Sequence, residues 1–131
     1  MIGGISASLS GLLASTRQVN NTASNIANLQ STSTLKDGQL INEPFIANQI
    51  VNVSQEGGGV YSVSVPLTNP TVPLYVPGSI LANEQGLVDY PNVNIATEVT
   101  NLIVAEQSYK SNINALETIK ETLDILLDEI G

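Results

Sequence analysis

The chain has 131 residues, of which 42% are hydrophobic, and its formal net charge is -8 at pH 7. These values are typical of a single globular unit, and one Phe, four Tyr and no Trp predict a thin, aliphatic core. The lack of Cys and His excludes disulfides, thiolate metal sites and imidazole catalysis, and four scattered basic residues cannot form the basic patch that a nucleic acid needs.

The first predicted element is a helix over residues 4–31. Its apolar residues recur in alternating steps of four and three, which is the heptad spacing of a coiled-coil stripe, although Thr16 and Gln30 interrupt the stripe with polar side chains. The turn-forming residues at 31–34 and 36–38 are expected to end the helix. The apolar members of the stripe are Ile5, Leu9, Leu12, Val19, Ala23 and Ile26.

Residues 36–93 are predicted to form a small β-rich domain with turns. The segments "FIANQIVNV" (45–53) and "VYSVSVPL" (60–67) are rich in β-branched and aromatic residues, as strands are. The intervening "SQEGGG" (54–59) is a suitable hairpin connection, so we expect these two strands to pair.

The second of these strands alternates between apolar and polar side chains. Tyr61, Val63 and Val65 project to one side, whereas Ser62 and Ser64 project to the other. This alternation predicts that the apolar side is buried and the serine side faces water.

The rest of the middle region is dominated by prolines and turns. Repeated prolines between 66 and 77 limit "VPLYV" (72–76) to a short edge strand. The segment "NEQG" (83–86) predicts a turn that leads into "LVDY" (87–90).

The last predicted element is a helix over residues 94–131 with a sharply specified start. Pro91 keeps Tyr90 extended, because the residue before a proline avoids helical geometry. Asn94 is the predicted N-cap, whose side chain accepts a hydrogen bond from a first-turn N–H. Glu98 complements the positive end of the helix dipole.

The stripe of this helix keeps the same steps of four and three to its end. Asp124, Asp128 and Glu129 place negative charge at the negative end of the dipole, which favours fraying unless a partner supplies cations. The apolar members of this stripe are Ile95, Val99, Leu102, Tyr109, Ile113, Leu116, Leu123, Leu127 and Ile130.

Both predicted helices also carry apolar residues outside their stripes. One interpretation is an ordinary helical hairpin whose two stripes form a sufficient core. However, a helix with apolar residues well beyond one stripe is usually buried on more than one side. We therefore expect the helices to pair with each other and with neighbouring copies of the chain. The residues of this second apolar face are Leu13, Leu29, Ile103, Val104, Ile119, Ile125 and Leu126.

Two features could carry chemistry, and both have a simpler interpretation. The glycines at 57–59 lack the Lys-Ser/Thr pair and the following helix of a phosphate loop, so we interpret them as a hairpin tip. Glu117 and Glu121 lie one helical turn apart, as do Asp124 and Asp128, but no third ligand or aromatic wall accompanies them. We interpret them as a solvated acidic face, and we expect no catalytic residue, metal site, cofactor or small-molecule substrate.

With both helices defined, the two ends of the chain resemble the bacterial flagellar axial (rod and hook) protein family. Residues 6–31 are similar to the family's N-terminal segment, a small-residue helix that closes in Ala-Asn-Asn-Ile-Ala-Asn. Residues 82–120 are similar to its C-terminal segment, including Asn-Leu-Ile at 101–103 and Ser-Tyr-Lys-Ser-Asn-Ile at 108–113. The matching residues are Ala23, Asn25, Ile26, Ala27 and Asn28, with Ser24 in place of an Asn, and Tyr90, Pro91, Asn92, Val93 and Asn94.

The resemblance implies an α+β subunit whose long terminal helices, in segments 1–35 and 94–131, pair as an antiparallel coiled coil and line a tubular rod. The small β-rich domain at 36–93 would lie outside. The implied function is that of a structural, non-enzymatic subunit of the flagellar basal-body rod. The absence of a long insertion favours the proximal rod over the hook or the distal rod.

The implied partners are copies of the chain itself, other flagellar rod proteins and the flagellar type III export apparatus. The implied location is the rod in the periplasmic space. Export without a cleaved signal peptide fits the N-terminal segment, which lacks a basic region and an uninterrupted apolar region. No apolar run approaches the roughly 20 residues of a membrane span, so we expect no membrane insertion. The alternative is a secreted or periplasmic binding module that does not polymerise and uses its β-rich domain for recognition.

Overall fold

The computed structural model describes residues 2–36 and 39–131. Helix α1 spans Ile2–Ala27 and helix α2 spans Ile95–Ile130, and short strands lie between them in the chain. The predicted α+β class, with long helices at both ends and a small β-rich middle, is confirmed. Asp37 and Gly38, from the turn predicted at 36–38, lie outside the described residues.

The two helices pack against each other in antiparallel orientation. A Cβ built on Gly4 of α1 would lie 3.2 Å from Cδ1 of Ile119, and one built on Gly11 would lie 2.5 Å from the Asn112 side chain. A step of seven residues forward on α1 therefore corresponds to a step of seven residues back on α2. Helix backbones approach this closely only where at least one helix presents small side chains.

The face of α1 that contacts α2, which we call the seam, consists of small and polar residues spaced as in a coiled coil. Ser8, Ser15 and Thr22 are buried there. Gln18 lies in the seam between Ser15 and Thr22, and its Nε2 donates a hydrogen bond to Oγ1 of Thr22 at 3.2 Å. In steps of four and three, the seam of α1 is Gly4, Ser8, Gly11, Ser15, Gln18, Thr22 and Asn25.

The predicted apolar stripe of α1 is therefore not its contact with α2. Each apolar stripe residue directly follows a seam residue, which rotates the stripe about 100° away around the helix. Leu9 is 53% exposed. The physical reason is that close packing of the backbones selects glycine and serine for the contact and leaves the larger side chains beside it. Ile5, Val19 and Ala23 are also exposed, and Leu12 and Ile26 are half-buried.

The seam on α2 follows a seven-residue repeat. Glu98 and Ala105 are buried, and Asn112 and Ile119 lie against the glycines of α1. Ile119, which the sequence assigned to a second apolar face, is thus part of the contact between the two helices. Val99 and Ile113 of the predicted α2 stripe each directly follow a residue of this line, whereas its other early members lie three residues before one. Ile95 and Val99 are exposed and Leu102 is half-buried.

Helix α1 ends at Ala27, four residues before its predicted end. Asn28 N still donates to Ser24 O, four residues back, at 3.1 Å. After it the donors reach back three residues: Leu29 N donates to Ile26 O at 3.3 Å and Ser31 N donates to Asn28 O at 2.9 Å. This tighter 3₁₀ geometry ends the helix and turns the chain towards the strands.

The start of α2 is as predicted. Asn94 has extended backbone angles, φ -103° and ψ 111°, and its Oδ1 accepts a hydrogen bond from Thr97 N at 3.1 Å. The N-cap thereby satisfies one of the free N–H groups of the first turn.

In the part of the chain that the structure describes, the strands form three separate two-stranded antiparallel sheets. The predicted hairpin of β3 and β4 and the predicted turn into β6 are confirmed, whereas the short β1–β2 pair was not anticipated. The strands are β1 (Thr34–Lys36), β2 (Gln39–Ile41), β3 (Asn48–Ser54), β4 (Val60–Pro66), β5 (Thr71–Tyr75) and β6 (Leu87–Pro91).

The β3–β4 hairpin packs on α1 with the opposite face from the one predicted. Ser62 is only 5% exposed, whereas Tyr61 on the apolar side is 52% exposed. The adjacent surface of α1 is polar: Arg17 Nη1 donates to Ser62 O at 2.6 Å, and Ser64 Oγ donates to Oδ1 of Asn21 at 3.4 Å. Small polar side chains allow these contacts, so the apolar side of β4 is left outside.

The glycines at 57–59 form the tip of this hairpin, as predicted. All three have φ between 93° and 96°, a region that L side chains rarely adopt. A Cβ on Gly59 would lie 2.5 Å from Oγ of Ser10 on α1, and that Oγ also accepts a hydrogen bond from Val60 N at 3.0 Å. The tip is therefore fixed against the first half of α1.

Gly11→Leu should destabilise the protein, because any side chain at Gly11 overlaps the side chain of Asn112. We expect the free energy of unfolding to fall by about 1–3 kcal/mol in urea denaturation, the usual cost of overpacking. Gly3→Ala is the matched control, since a Cβ on Gly3 meets nothing within 4 Å. Unchanged stability of Gly11→Leu would contradict the close approach of the helices.

Candidate assembly surface

A buried polar cluster joins α1, α2 and the β3–β4 hairpin. Asn25 Nδ2 donates to Oε1 of Glu98 at 2.9 Å and to the carbonyl oxygen of Asn48 at 2.7 Å. Asn48 N donates back to Oδ1 of Asn25 at 3.2 Å, and Asn21 Nδ2 reaches the same Asn48 carbonyl at 2.9 Å. One asparagine of the family motif therefore links both helices to the start of β3.

Glu98 is the charged member of this cluster, and it is 7% exposed. Its other carboxyl oxygen, Oε2, is buried without a hydrogen-bond partner among the described residues. Because burying a carboxyl group is costly unless it is hydrogen-bonded, the bond from Asn25 is important for stability. Glu98 was predicted only to complement the helix dipole, and its link to α1 was not anticipated.

A polar cleft beside this cluster has no catalytic character. It has a volume of about 440 Å³, and amide side chains such as Gln18, Asn92 and Asn101 line it together with Glu98. Within the described ranges, no three His, Cys, Asp or Glu side chains are grouped so that they could hold a metal ion. The arrangement suits hydrogen bonding between elements rather than acid–base chemistry.

Charged pairs on the outer surface of α2 contribute little to the stability of the fold. Lys110 Nζ lies 2.6 Å from Oε1 of Glu106, and Lys120 Nζ lies 3.1 Å from Oδ2 of Asp124. The hydrogen bond and the charge of Lys110 lower the pKa of the Glu106 carboxyl below its usual value. All four side chains are well exposed, and exposed pairs of this kind are worth very little in water.

Most of the predicted assembly residues of α2 lie at its surface in the single subunit. Val99 and Tyr109 are exposed near its first half, and Ile130 near its end is 84% exposed. Ile95 and Leu127 are also exposed, while Leu102, Ile113, Leu116 and Leu123 are half-buried. Of the predicted second face, Leu13, Ile103, Val104, Ile125 and Leu126 are exposed and Leu29 is half-buried.

Few apolar side chains are buried inside the subunit. The buried apolar residues among the described ranges are Ala14, Ala47, Val88 and Ala105, of which three are alanines. Contiguous exposed apolar surface on a soluble protein usually marks a site of protein–protein contact. The two helices are therefore the candidate assembly surface of this molecule.

The two parts of the family motif lie at the same end of the helix pair, because the antiparallel register brings the end of α1 beside the start of α2. Near the end of α1, Asn25 is buried, Ile26 and Asn28 are half-buried, and Ala23 and Ala27 are exposed. Before α2, Asn92 closes the approach to the helix: its N donates to Pro70 O and its Nδ2 donates to Asn69 O, both at 2.8 Å. Pro91 is buried, Tyr90 and Val93 are half-buried, and Asn94 is exposed.

None of the helices in the described ranges has a stretch long and apolar enough to span a lipid bilayer.

Comparison with known proteins assigns a class to this geometry. Residues 84–129, from the turn before β6 to the end of α2, match the family described as "Flagellar basal body rod FlgEFG protein C-terminal". The segment that carries the Tyr90–Asn94 motif and the exposed apolar face of α2 is thus a domain of flagellar rod proteins.

Relatives that match nearly the whole chain define the family further. The chain is 38% identical over 120 residues to the flagellar basal-body rod protein FlgC of Salmonella typhimurium. The aligned residues cover 87% of this chain and 86% of that protein. It is 35% identical to FlgC of Buchnera aphidicola from Acyrthosiphon pisum over the same shares of each chain. FlgC of Aquifex aeolicus is 31% identical over 119 residues, 89% of this chain and 87% of that protein. The chain belongs to the FlgC family of flagellar basal-body rod proteins.

Asn25→Ala should destabilise the fold, because it leaves Glu98 and the Asn48 carbonyl without their shared donor. We expect a loss of about 1–3 kcal/mol in urea denaturation, the cost of leaving buried polar groups unsatisfied. Asn20→Ala removes an exposed amide from the same helix and should leave stability within about 0.5 kcal/mol of the wild type. Equal stability of the two variants would show that the cluster does not hold the elements together.

Proposed function

We propose that this protein is a structural subunit of the bacterial flagellar basal-body rod, in its proximal part, and that it polymerises through its terminal helices. Membership of the FlgC family supports the rod as its place. The single observation that carries the mechanism is the exposed apolar surface along both helices of an isolated subunit. Other copies or other rod proteins would cover that surface.

The proposed arrangement places the helical segments 1–35 and 94–131 inside the wall of a hollow shaft and the β-rich segment 36–93 outside. Close pairing at the seam makes each subunit a slender helical rod with apolar residues on its outer sides. Such a unit buries its apolar surface only by packing side by side with others. The work of the protein is mechanical, so we infer that it is not an enzyme and needs no cofactor.

The inferred partners are copies of the chain, neighbouring rod proteins and the flagellar type III export apparatus. Export through that apparatus, without a cleaved signal peptide, would deliver the subunit to the periplasmic part of the basal body. The relatives' names support the rod neighbours, while the export route is our inference from the resemblance.

One observation favours a second candidate, a binding module that does not polymerise. The outer side of the β3–β4 hairpin exposes four apolar residues that pair across the strands, Val51 with Val63 and Val53 with Tyr61. A recognition surface on a sheet has this character. A purified subunit that stays monomeric, with helices well protected from hydrogen exchange at high dilution, would favour this candidate.

Removal of the gene from the native host tests the proposal directly. We expect cells without hooks or filaments, because a rod that lacks one of its segments cannot support the parts beyond it. Detergent-extracted basal bodies from the wild type should contain the protein. Normal swimming without the gene, in a host with no second copy of it, would refute the rod function.

Val104→Asp should separate folding from assembly. Val104 is 58% exposed in the subunit, so a charge there should leave the unfolding midpoint nearly unchanged while greatly reducing entry into basal bodies. Leu116→Asp, at a half-buried position beside the seam, should impair folding itself. Gln85→Asp is the matched control at an exposed polar position in the turn before β6, outside both helices, and should assemble normally. Normal assembly of Val104→Asp would contradict the involvement of this face.

A further inference from the structure

Helix α2 is longer than α1, and its end extends past the described residues of α1. Gly4 lies opposite Ile119, so the same antiparallel register places Ile2 opposite residue 121. Residues 122–130, which we call the overhang, therefore extend beyond α1. The seam line of α2 continues into the overhang, which no described residue of α1 faces.

The overhang is both apolar and acidic. Leu123, Leu126, Leu127 and Ile130 follow the steps of three and four that form one stripe of a helix. Asp124, Asp128 and Glu129 lie beside this stripe, and no basic residue is present in the last turn. Negative charge at the negative end of a helix is unfavourable, so a cation from another molecule would stabilise this segment.

A cleft elsewhere on the subunit offers the complementary features. It has a volume of about 180 Å³ and lies between α1 and the β3–β4 hairpin, with Leu13, Arg17 and Tyr61 in its walls. Both Leu13 and Tyr61 are more than half exposed, so apolar surface is open on either side of it. We call it the α1–hairpin cleft.

Arg17 holds a fixed position at this cleft without a carboxylate. Its Nη1 donates to Ser62 O at 2.6 Å, and its guanidinium carbon lies 5.5 Å from the centre of the Tyr61 ring. A guanidinium has five N–H donors, so several remain for another acceptor. Among the described residues, no carboxylate oxygen lies within 4.0 Å of it, whereas Lys110 and Lys120 each pair with an acid one turn away.

We propose that the overhang of one subunit docks in the α1–hairpin cleft of a second copy of this chain. An apolar side chain of the overhang enters the cleft between Leu13 and Tyr61, and the carboxylate of Asp128 or Glu129 binds the free side of the Arg17 guanidinium. Arginine and carboxylate form strong, geometrically specific pairs of hydrogen bonds. This inference rests on the proposed function and names the surfaces that meet in it.

The contact must join different copies. Within one subunit Arg17 lies opposite residue 106, and the overhang begins roughly 25 Å further along α2. The two surfaces also differ, so the contact is head-to-tail. A head-to-tail contact that does not close on itself generates a helical filament, which is the geometry of a rod.

Charge reversal tests the docking in host cells whose own copy is replaced. Arg17→Glu alone, and Asp128→Arg with Glu129→Arg, should each lower the amount of subunit in purified basal bodies about tenfold or more, since each leaves like charges facing. All three changes in one chain should restore it, because the pair is then reversed. Lys110→Glu is the matched control and should enter like the wild type, since its cation is on a different surface.

The outcomes distinguish this inference from the proposed function. If the wild type enters basal bodies, and Arg17→Glu and the Asp128→Arg, Glu129→Arg variant each enter equally well, the docking is wrong and the rod function stands. If the triple change fails to restore entry although the chain folds, the acidic overhang binds a different protein and the docking is also wrong. If the wild type itself is absent from basal bodies, the rod function fails.

Cross-linking provides a readout that keeps Arg17 intact. The chain has no Cys, so every cross-link comes from an introduced residue. Co-expressed copies that carry Asn20→Cys and Asp124→Cys should form a cross-linked pair in basal bodies with a short bismaleimide reagent. Copies that carry Asp89→Cys and Asp124→Cys are the control and should not. Absence of the first cross-link, with both copies present in the basal body, would overturn the docking.

Discussion

The close antiparallel contact between α1 and α2 is the constraint on which the rest of the molecule depends. Glycine and serine on α1 let the helix backbones approach each other, and the side chain of Asn112 fits only because Gly11 has none. Since small residues of α1 occupy the contact, the leucines and isoleucines of α1 lie beside it. The packing that holds the subunit together therefore also leaves apolar surface exposed to water, which is unfavourable.

The polar cluster of Asn25, Glu98 and Asn48 complements this seam. The seam fixes the distance between the helices, whereas the cluster fixes their ends relative to the hairpin. Hydrogen bonds have defined directions, so they specify one register where a row of small side chains would tolerate sliding. The position of the hairpin on α1, and of the cleft beside Arg17, follows from that register.

The sequence predicts the elements that local chemistry determines, and fails where tertiary packing decides. The helices, the β3–β4 hairpin and the Asn94 cap follow from residue spacing, strand composition and an N-cap side chain. The seam was missed because leucine is more hydrophobic than glycine, so a pattern based on hydrophobicity selects the leucines as the contact. The regular spacing of Gly4, Ser8, Gly11 and Ser15 is nevertheless present in the sequence. The prediction of which face of β4 is buried was wrong because that face packs on the polar side of α1. The alternation of side chains within the strand contains no information about α1.

We expect a lone subunit to leave its helical surfaces uncovered and assembly in the rod to cover them. Hydrogen–deuterium exchange of the dilute purified protein, compared with the same protein in extracted basal bodies, measures this most directly. We predict fast exchange along residues 122–130 and weak protection of both helices in the dilute subunit, with strong protection in the basal body. Helices that are equally and strongly protected in a dilute monomer would contradict it.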